Sequence, residues 1–480
     1  MSNATNRGVV TPLFTEELSH LEHKLDSRYP AWFNTLRHTA FSSVLERGFP
    51  ISKDEDWRYT RIAPILSTPF KPAQSVDHCL SNDAIDNLAG HFGGVRLVFV
   101  NGHFVSTLSS LGPLKGVPHP ARAPRPAGAA CHPNGVRVES LGAILSSGQE
   151  SDLSRLLQGP LSLSESAHAF TALNLALTED GAFIYIPPNT TIEEPISLVF
   201  LSDVGATPFI SNPRSVILAG ENSRATVIEV YTGTLDHLYF TNAVTDIILE
   251  EGAQIEHYKV QNESQKSFHV ALLNLQQGRG SQFLGHLTAF GAAIGRHEVK
   301  VRLTAKDAET TLNGLYLPDS GQYLDNPTLI EHRAPGCTSH QLYKGVVDGE
   351  GRGGFYGRII VAQDAMKTDA RQSNKVLLLS DAAQADTRPR LEIFADDVKC
   401  AHGATVGQLD DEALFYLRSR GIPLENARGL LTYAFISEML NLVRVKPLQS
   451  YLTELVLSRF VFLPSPLGGE VISLLGRGHG

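Results

Sequence analysis

A chain of 480 residues carrying 41 Lys and Arg against 50 Asp and Glu, with a net charge of −9, offers no basic surface for nucleic acid to follow. With 42% hydrophobic and 19% charged residues it has the composition of a soluble globular protein, long enough for about three domains or for one long repeat domain with helical flanks. The N-terminus lacks a charged and then apolar leader, and no run of about 18 uncharged apolar residues occurs, so a cytoplasmic protein without membrane spans is expected.

Residues 1–112 read as an N-terminal helical region. Apolar residues recur at three- and four-residue spacing in FTEELSHLEHKL (14–25) and WFNTLRHTAFSSVLERG (32–48), and the strand-like VRLVFVNGHF (95–104) follows. Residues 113–164 hold Pro113, Pro118, Pro120, Pro124, Pro126 and Pro133 and read as an exposed connector with a short helix.

From 165 to 409 the texture changes to short alternating strands broken by Gly, Asn or Asp, with almost no helical periodicity. Aligning the strand-turn-strand units on their turns places anchors at Asn189, Gly220, Gly252, Gly280, Asp307, Gly336, Ala365 and Asp397. The period of roughly 30 is what a β-solenoid produces by stacking one supersecondary unit on the next. An evenly spaced β-sandwich is the other reading of the same pattern. Residues 410–480 read as a C-terminal helical domain. Asp410 or Asp411 caps a helix that stops at Gly421, and in residues 425–443 Ala427, Leu430, Leu431, Ala434, Phe435, Met439 and Leu442 share one broad face. That pair can cap the solenoid end or serve as a docking surface.

Several catalytic motifs are absent or out of context. Gly349, Gly351 and Gly354 satisfy GxGxxG, but a strand-like FYGRIIVA follows instead of a helix, which makes the motif a loop between strands. No GxxxxGK[ST] occurs, so the chain is expected to have no nucleotide site of its own. Neither GxSxG nor HExxH is present. Asp364, Lys367, Asp369, Arg371 and Lys375 can be read as the charged cluster of a polysaccharide-active β-helix, or as a charge-rich outer strand.

Four cysteines (Cys79, Cys131, Cys337, Cys400) without any CxxC are too few and too scattered for a disulfide framework or a self-sufficient zinc or iron–sulfur site. Two close Cys/His pairs occur, Cys131 with His132 and Cys400 with His402, and the second lies in a strand-like segment. In an extended segment residues i and i+2 project to one face, so thiol and imidazole share a target. Lys399 favours a thiolate, Asp396 and Asp397 oppose it, and no oxyanion hole or orienting residue is evident. A buried structural Cys beside a surface His is the plain alternative. A functional pair supplies two ligands, half of a tetrahedral set, and so belongs at an interface.

The segment DDVKCAHGATVGQLDDEALFYLRSRGI (396–422) resembles the SufB/SufD family of iron–sulfur cluster assembly scaffolds. EDWRYT (55–60), VFVNGHF (98–104), DGAFIYIPPN (180–189) and LNGLYLPDSGQYLDN (312–326) agree, in the family's order. Within it the chain is similar to SufD rather than SufB, since Cys400-Ala401-His402-Gly403-Ala404 replaces the Cys-Glu-His-Glu-Ala of SufB-type chains and no N-terminal CxxC is present. The resemblance implies a mainly β protein, a right-handed parallel β-helix with N- and C-terminal helical domains, acting as a non-catalytic scaffold. It implies pairing with SufB through the β-helix core and docking of the SufC ATPase through the C-terminal helices, for which Leu414, Leu417, Leu430, Leu431, Phe435 and Met439 are the candidates. It places His402 and Cys400 at a site that holds iron transiently, in a nascent cluster shared with SufB, with Cys400 either a ligand or structural. The alternative function is a β-helix enzyme, a Cys/His-dependent transferase or hydrolase or a polysaccharide-active enzyme. Flavin binding, a homodimer of the isolated chain, the recipient apoproteins and the role of 446–480 stay open at this stage.

Overall fold

The computed structural model describes residues 20–460 apart from 22–23, 52, 76–79, 112–128, 132–134, 148–152, 154–156, 158–167, 204–206 and 235–236. Most of the expected helix at 14–25, the proline-rich 113–128, Cys79, His132 and the tail beyond 460 lie outside the described residues.

From Arg214 onward, strands taken in chain order alternate between two sheets, one of 12 strands and one of 10, and neighbours within each sheet pair in parallel. This is the expected parallel β-solenoid. Its period has a backbone cause. Asn189, Asn222, Gly252, Gly280, Asp307, Gly336 and Lys367 all have φ between 52° and 73°. Each donates its N–H to a carbonyl one turn further on, from Asn189 to Glu221 at 2.7 Å through to Lys367 to Asp397 at 2.7 Å. A left-handed corner favours Gly, Asn or Asp, which is why those residues mark the repeat. Two expected anchors, Gly220 and Ala365, fall two residues short of the actual corners at Asn222 and Lys367. Lys367 is a residue type that gives no turn signal.

Apolar residues fill three places. Between the sheets lie Ile217, Ile247, Ile255, Leu275, Val301, Leu312, Tyr316, Phe355 and Ile359, all almost fully buried. The helices are Ala31–Arg47 (α1), Ala63–Ser67 (α2), Asn82–Ala89 (α3), Leu141–Ser147 (α4), Ala169–Leu177 (α5), Asp411–Ser419 (α6), Leu424–Asn441 (α7) and Lys446–Phe460 (α8); all but α6 cover the outer faces, and α6, which buries no residue, packs beside α7. Phe33 of α1, Trp57 and Phe170 of α5 pack over the 12-stranded sheet. Ile85 of α3, Ile436, Met439 and Leu440 of α7, and Leu448, Leu452 and Val456 of α8 pack over the 10-stranded sheet.

This arrangement corrects the expected boundaries. Val95–Val100 pairs in parallel with Ile196–Ser202, and Arg137–Ser140 pairs with Ala182–Ile186, so strands from before residue 165 belong to the sheets. Inside the stretch read as having almost no helical periodicity, AFTALNLAL forms α5. Every residue of it is buried, so it carries no amphipathic period. Its Asn174 is tolerated because its amide donates to the carbonyls of Pro213 and Asn242 at 3.0 and 2.8 Å. The C-terminal helices likewise do not cap the solenoid end; α7 lies against strands Glu309–Tyr316 and Thr338–Val347 on a sheet face. Part of the unmatched tail is α8, which packs beside α7.

Candidate functional site

The uncapped end exposes the final strands of both sheets. Among the described residues Lys399–Gln408 is the last strand of the 10-stranded sheet and pairs only with Asp369–Leu378, and Gln384–Ile393 is the last strand of the other. Nearly every residue of Lys399–Gln408 is exposed, and Ile393, Phe394 and Val406 are 41%, 63% and 46% accessible. A long, unprotected edge presents a row of free donors and acceptors to another strand.

Register shows where Cys400 and His402 point. Cys400 is opposite Ala370, which is buried between the sheets, and His402 is opposite Gln372, also buried. Both side chains therefore lie on the inward face of the last turn, where the next turn of the solenoid would cover them. The structure brings the pair together as the two-residue spacing requires, Cys400 half-buried and His402 exposed. Burial pushes the Cys400 thiol above the ordinary cysteine range, and the Asp369 carboxylate adds to the rise while the Ala370 backbone contact opposes it. Lys399 does not produce a thiolate. Among the described residues no group of three His, Cys, Asp or Glu side chains is placed to hold a metal, so this pair offers two ligands at most.

The charged residues considered for carbohydrate chemistry do not converge. Lys367 pairs with Asp397 and Arg371 pairs with Asp369 at 3.1 Å, within a charged outer face. Of the GxGxxG glycines, Gly349 and Gly351 lie in the turn between strands Thr338–Val347 and Arg352–Val361, and Gly354 lies within the second of these strands.

At the C-terminus the docking candidates divide. Leu414, Leu417, Leu430 and Leu431 are half-buried. Phe435 is engaged within the chain, its carbonyl accepting from Lys344 Nζ at 2.7 Å and its ring 4.4 Å from the same ammonium. Met439 is wholly buried against the 10-stranded sheet and is withdrawn as a docking residue. The exposed apolar face belongs instead to Phe415 and Tyr416 of α6, 74% and 57% accessible, beside Asp411, Glu412 and Ser419. The sequence carried this signal in the adjacent aromatics of DEALFYLRS, but a helical-face count assigns such residues to a core.

Sequence reasoning also missed a set of ionisable groups inside the solenoid. Alternation along Gln254–Asn262 turns His257, Lys259 and Gln261 inward. His257 Nε2 lies 3.3 Å from Glu229, which accepts from Thr245 at 2.8 Å. Lys259 Nζ lies 3.0 Å from His269 Nε2, and His269 Nδ1 lies 2.7 Å from Glu263. Glu229, His257, Lys259 and His297 border a cavity of about 40 Å³. Burial raises Glu263 to about 7, against the pull of its Thr241 and Gln261 hydrogen bonds and of Lys259, and burial lowers Lys259 to about 8. Because the folded chain holds the Glu263 proton above its unfolded value, the stability from this group is complete below about pH 4.5 and is lost as pH rises through about 7. Glu263→Gln should flatten that slope. The expected result is a wild-type unfolding free energy, measured by denaturant titration, that declines from pH 5 to 7 more than the variant's, by at most about 3 kcal/mol at roughly 1.4 kcal/mol per pKa unit.

Comparison with known proteins adds an independent line. The family model "SUF system FeS cluster assembly, SufBD core domain" matches residues 201–435, and "SufBD protein N-terminal region" matches 124–198. The iron–sulfur cluster assembly protein SufD of Escherichia coli is 32% identical over 84% of this chain and 87% of its own length. An iron–sulfur cluster assembly SufBD family protein of Synechocystis is 32% identical over 86% and 88%, and the chloroplastic protein ABCI7 of Arabidopsis thaliana is 29% identical over 84% and 81%.

Proposed function

The chain belongs to the SufBD family of iron–sulfur cluster assembly proteins, and from that premise we propose that it is the SufD-type scaffold of a SufB–SufC–SufD complex. The carrying observation is the uncovered final turn, which ends the solenoid on an unpaired strand edge with Cys400 and His402 facing inward. A second solenoid, SufB, continues the sheets across that edge. The two side chains then face residues of the partner, and the nascent cluster is built between them as cargo. His402 is the iron ligand or sulfur-transfer helper. Cys400, held as a thiol in the isolated chain, is a secondary ligand or a structural contact. No turnover is assigned to this chain.

SufC docks on the exposed face of α6, where Phe415 and Tyr416 supply the aromatic anchors such interfaces use. α7 and α8 tie that platform to the solenoid, so motion of the ATPase reaches the edge through packed elements. The compartment proposed is the cytoplasm; no helix among the described residues is long and apolar enough to cross a membrane.

The test of this reading is co-purification with SufB and SufC, followed by anaerobic loading with iron and sulfide. A ternary complex that acquires cluster supports it; a chain that captures neither partner refutes it. In the same assay Phe415→Ala with Tyr416→Ala should lose SufC while retaining SufB. The expected drop in SufC affinity is tenfold or more, at ~2 kcal/mol per buried anchor, with circular dichroism unchanged.

A further inference from the structure

The motif Glu55-Asp56-Trp57-Arg58-Tyr59-Thr60 lies on the outer face of the 12-stranded sheet, beside its last strand Gln384–Ile393 and on the face turned away from Cys400 and His402, and the fold anchors it firmly. Trp57 is buried with the Arg296 guanidinium 3.9 Å from its ring centre. The Thr60 hydroxyl donates to Asp325, and Tyr59 stacks on Tyr356 with ring centres 5.4 Å apart and planes 13° from parallel. Between the start of this motif and the outer face of the 12-stranded sheet is a cleft of about 340 Å³, within the size range of small-molecule sites.

Its floor is set by register. Pro327, Tyr356 and Arg388 are neighbours across three strands, and Leu329, Arg358 and Arg390 are neighbours in the next outward row. The first members of each row are apolar or aromatic and the last are guanidinium groups, so the floor passes from an apolar strip to a cationic one. The charges at the cationic end are unevenly matched. Arg296 is matched by Asp325 at 2.6 Å and Glu298 at 3.3 Å. Arg358 and Arg390 share the single carboxylate of Glu392, each at 2.8 Å, and Arg390 also reaches the exposed Glu55 at 3.2 Å. Among the described residues no carboxylate pairs with Arg388, whose guanidinium lies 4.3 Å from the centre of the Tyr59 ring.

We propose that this cleft binds a small organic anion with a flat apolar body. Its phosphate or carboxylate sits on the forks of Arg388 and Arg390, and its body lies along Tyr356, Leu329 and Pro327. The guanidinium fork suits either head group through paired N–H donors. An aromatic face beside the cation selects a flat ligand over a bare ion.

The test is calorimetric titration of the full chain with phenyl phosphate, benzoate and inorganic phosphate. At least one aromatic probe should bind tenfold or more tightly than inorganic phosphate, and the better of the two identifies the head group. Arg388→Gln should weaken that probe at least tenfold, and Tyr356→Ala should erase its advantage over inorganic phosphate. Arg388 is exposed and the Gln variant should unfold at the wild-type temperature, which separates lost binding from lost folding. Equal affinity for all three probes, or an aromatic probe that binds the Arg388→Gln variant as well as wild type, would overturn the proposal.

Discussion

His402→Ala should leave the complex with SufB and SufC intact and reduce its iron and acid-labile sulfide about tenfold or more. The side chain is exposed on the final strand, so truncating it opens no cavity and strands no buried partner. Substitutions of that kind usually change stability by within about 0.5 kcal/mol, and the thermal midpoint of the isolated chain should not move. What the variant loses is an imidazole nitrogen on the inward face, and with it half of the ligand pair this chain can offer. Cys400→Ala in parallel should produce a smaller loss if the thiol is a secondary ligand. Equal loading of wild type and His402→Ala would reduce the turn to structure and leave the docking surfaces as the whole of the function.

Ala404→Pro should separate assembly from folding. The Lys399 N–H donates inward to Thr368 at 2.8 Å, and N–H direction alternates along a strand. The N–H groups of Cys400, His402, Ala404 and Val406 therefore point to the open edge. Proline at 404 removes one of these without touching the ladder to Asp369–Leu378, and Gly403 before it lacks the Cβ that would crowd the ring. Edge strands tolerate proline for this reason. Leaving a partner's acceptor unmatched in a buried ladder costs ~1–3 kcal/mol, so affinity for SufB should fall roughly tenfold to a hundredfold. Thr405→Pro, which breaks an inward bond, should instead loosen the final strand itself. Analytical ultracentrifugation of the mixed subunits together with thermal melts distinguishes the two. SufB affinity unchanged by Ala404→Pro would place the partner elsewhere than this edge.

The positions that sequence reasoning found share a local cause. A corner that needs positive φ selects Gly, Asn or Asp, so five of the eight anchors, at Asn189, Gly252, Gly280, Asp307 and Gly336, coincide with real left-handed corners. Asp410 accepts from the N–H groups of Glu412 and Ala413 at 2.8 and 3.2 Å, an N-cap decided within four residues. Cys400 and His402 share a face because they are two apart in a strand. The misses share a cause as well. Helix α5 is buried all round, so its pattern has no period to detect. Met439 and Phe415 are both apolar residues of C-terminal helices, and only the sheet lying beneath α7 decides that one is core and the other surface.

The sequence by itself determined the repeat, the strand alternation, the caps and the pairing of Cys400 with His402, because each follows from backbone sterics or side-chain period over a few residues. Tertiary structure alone decided that the helices cover sheet faces and leave the end of the solenoid open. It also gathered His257, Lys259, Glu263 and His269 inside, and set the EDWRYT segment above a cationic cleft. Those outcomes depend on which surfaces meet across tens to hundreds of residues, and a contact between Trp57 and Arg296 or between Lys344 and Phe435 has no local signature to read.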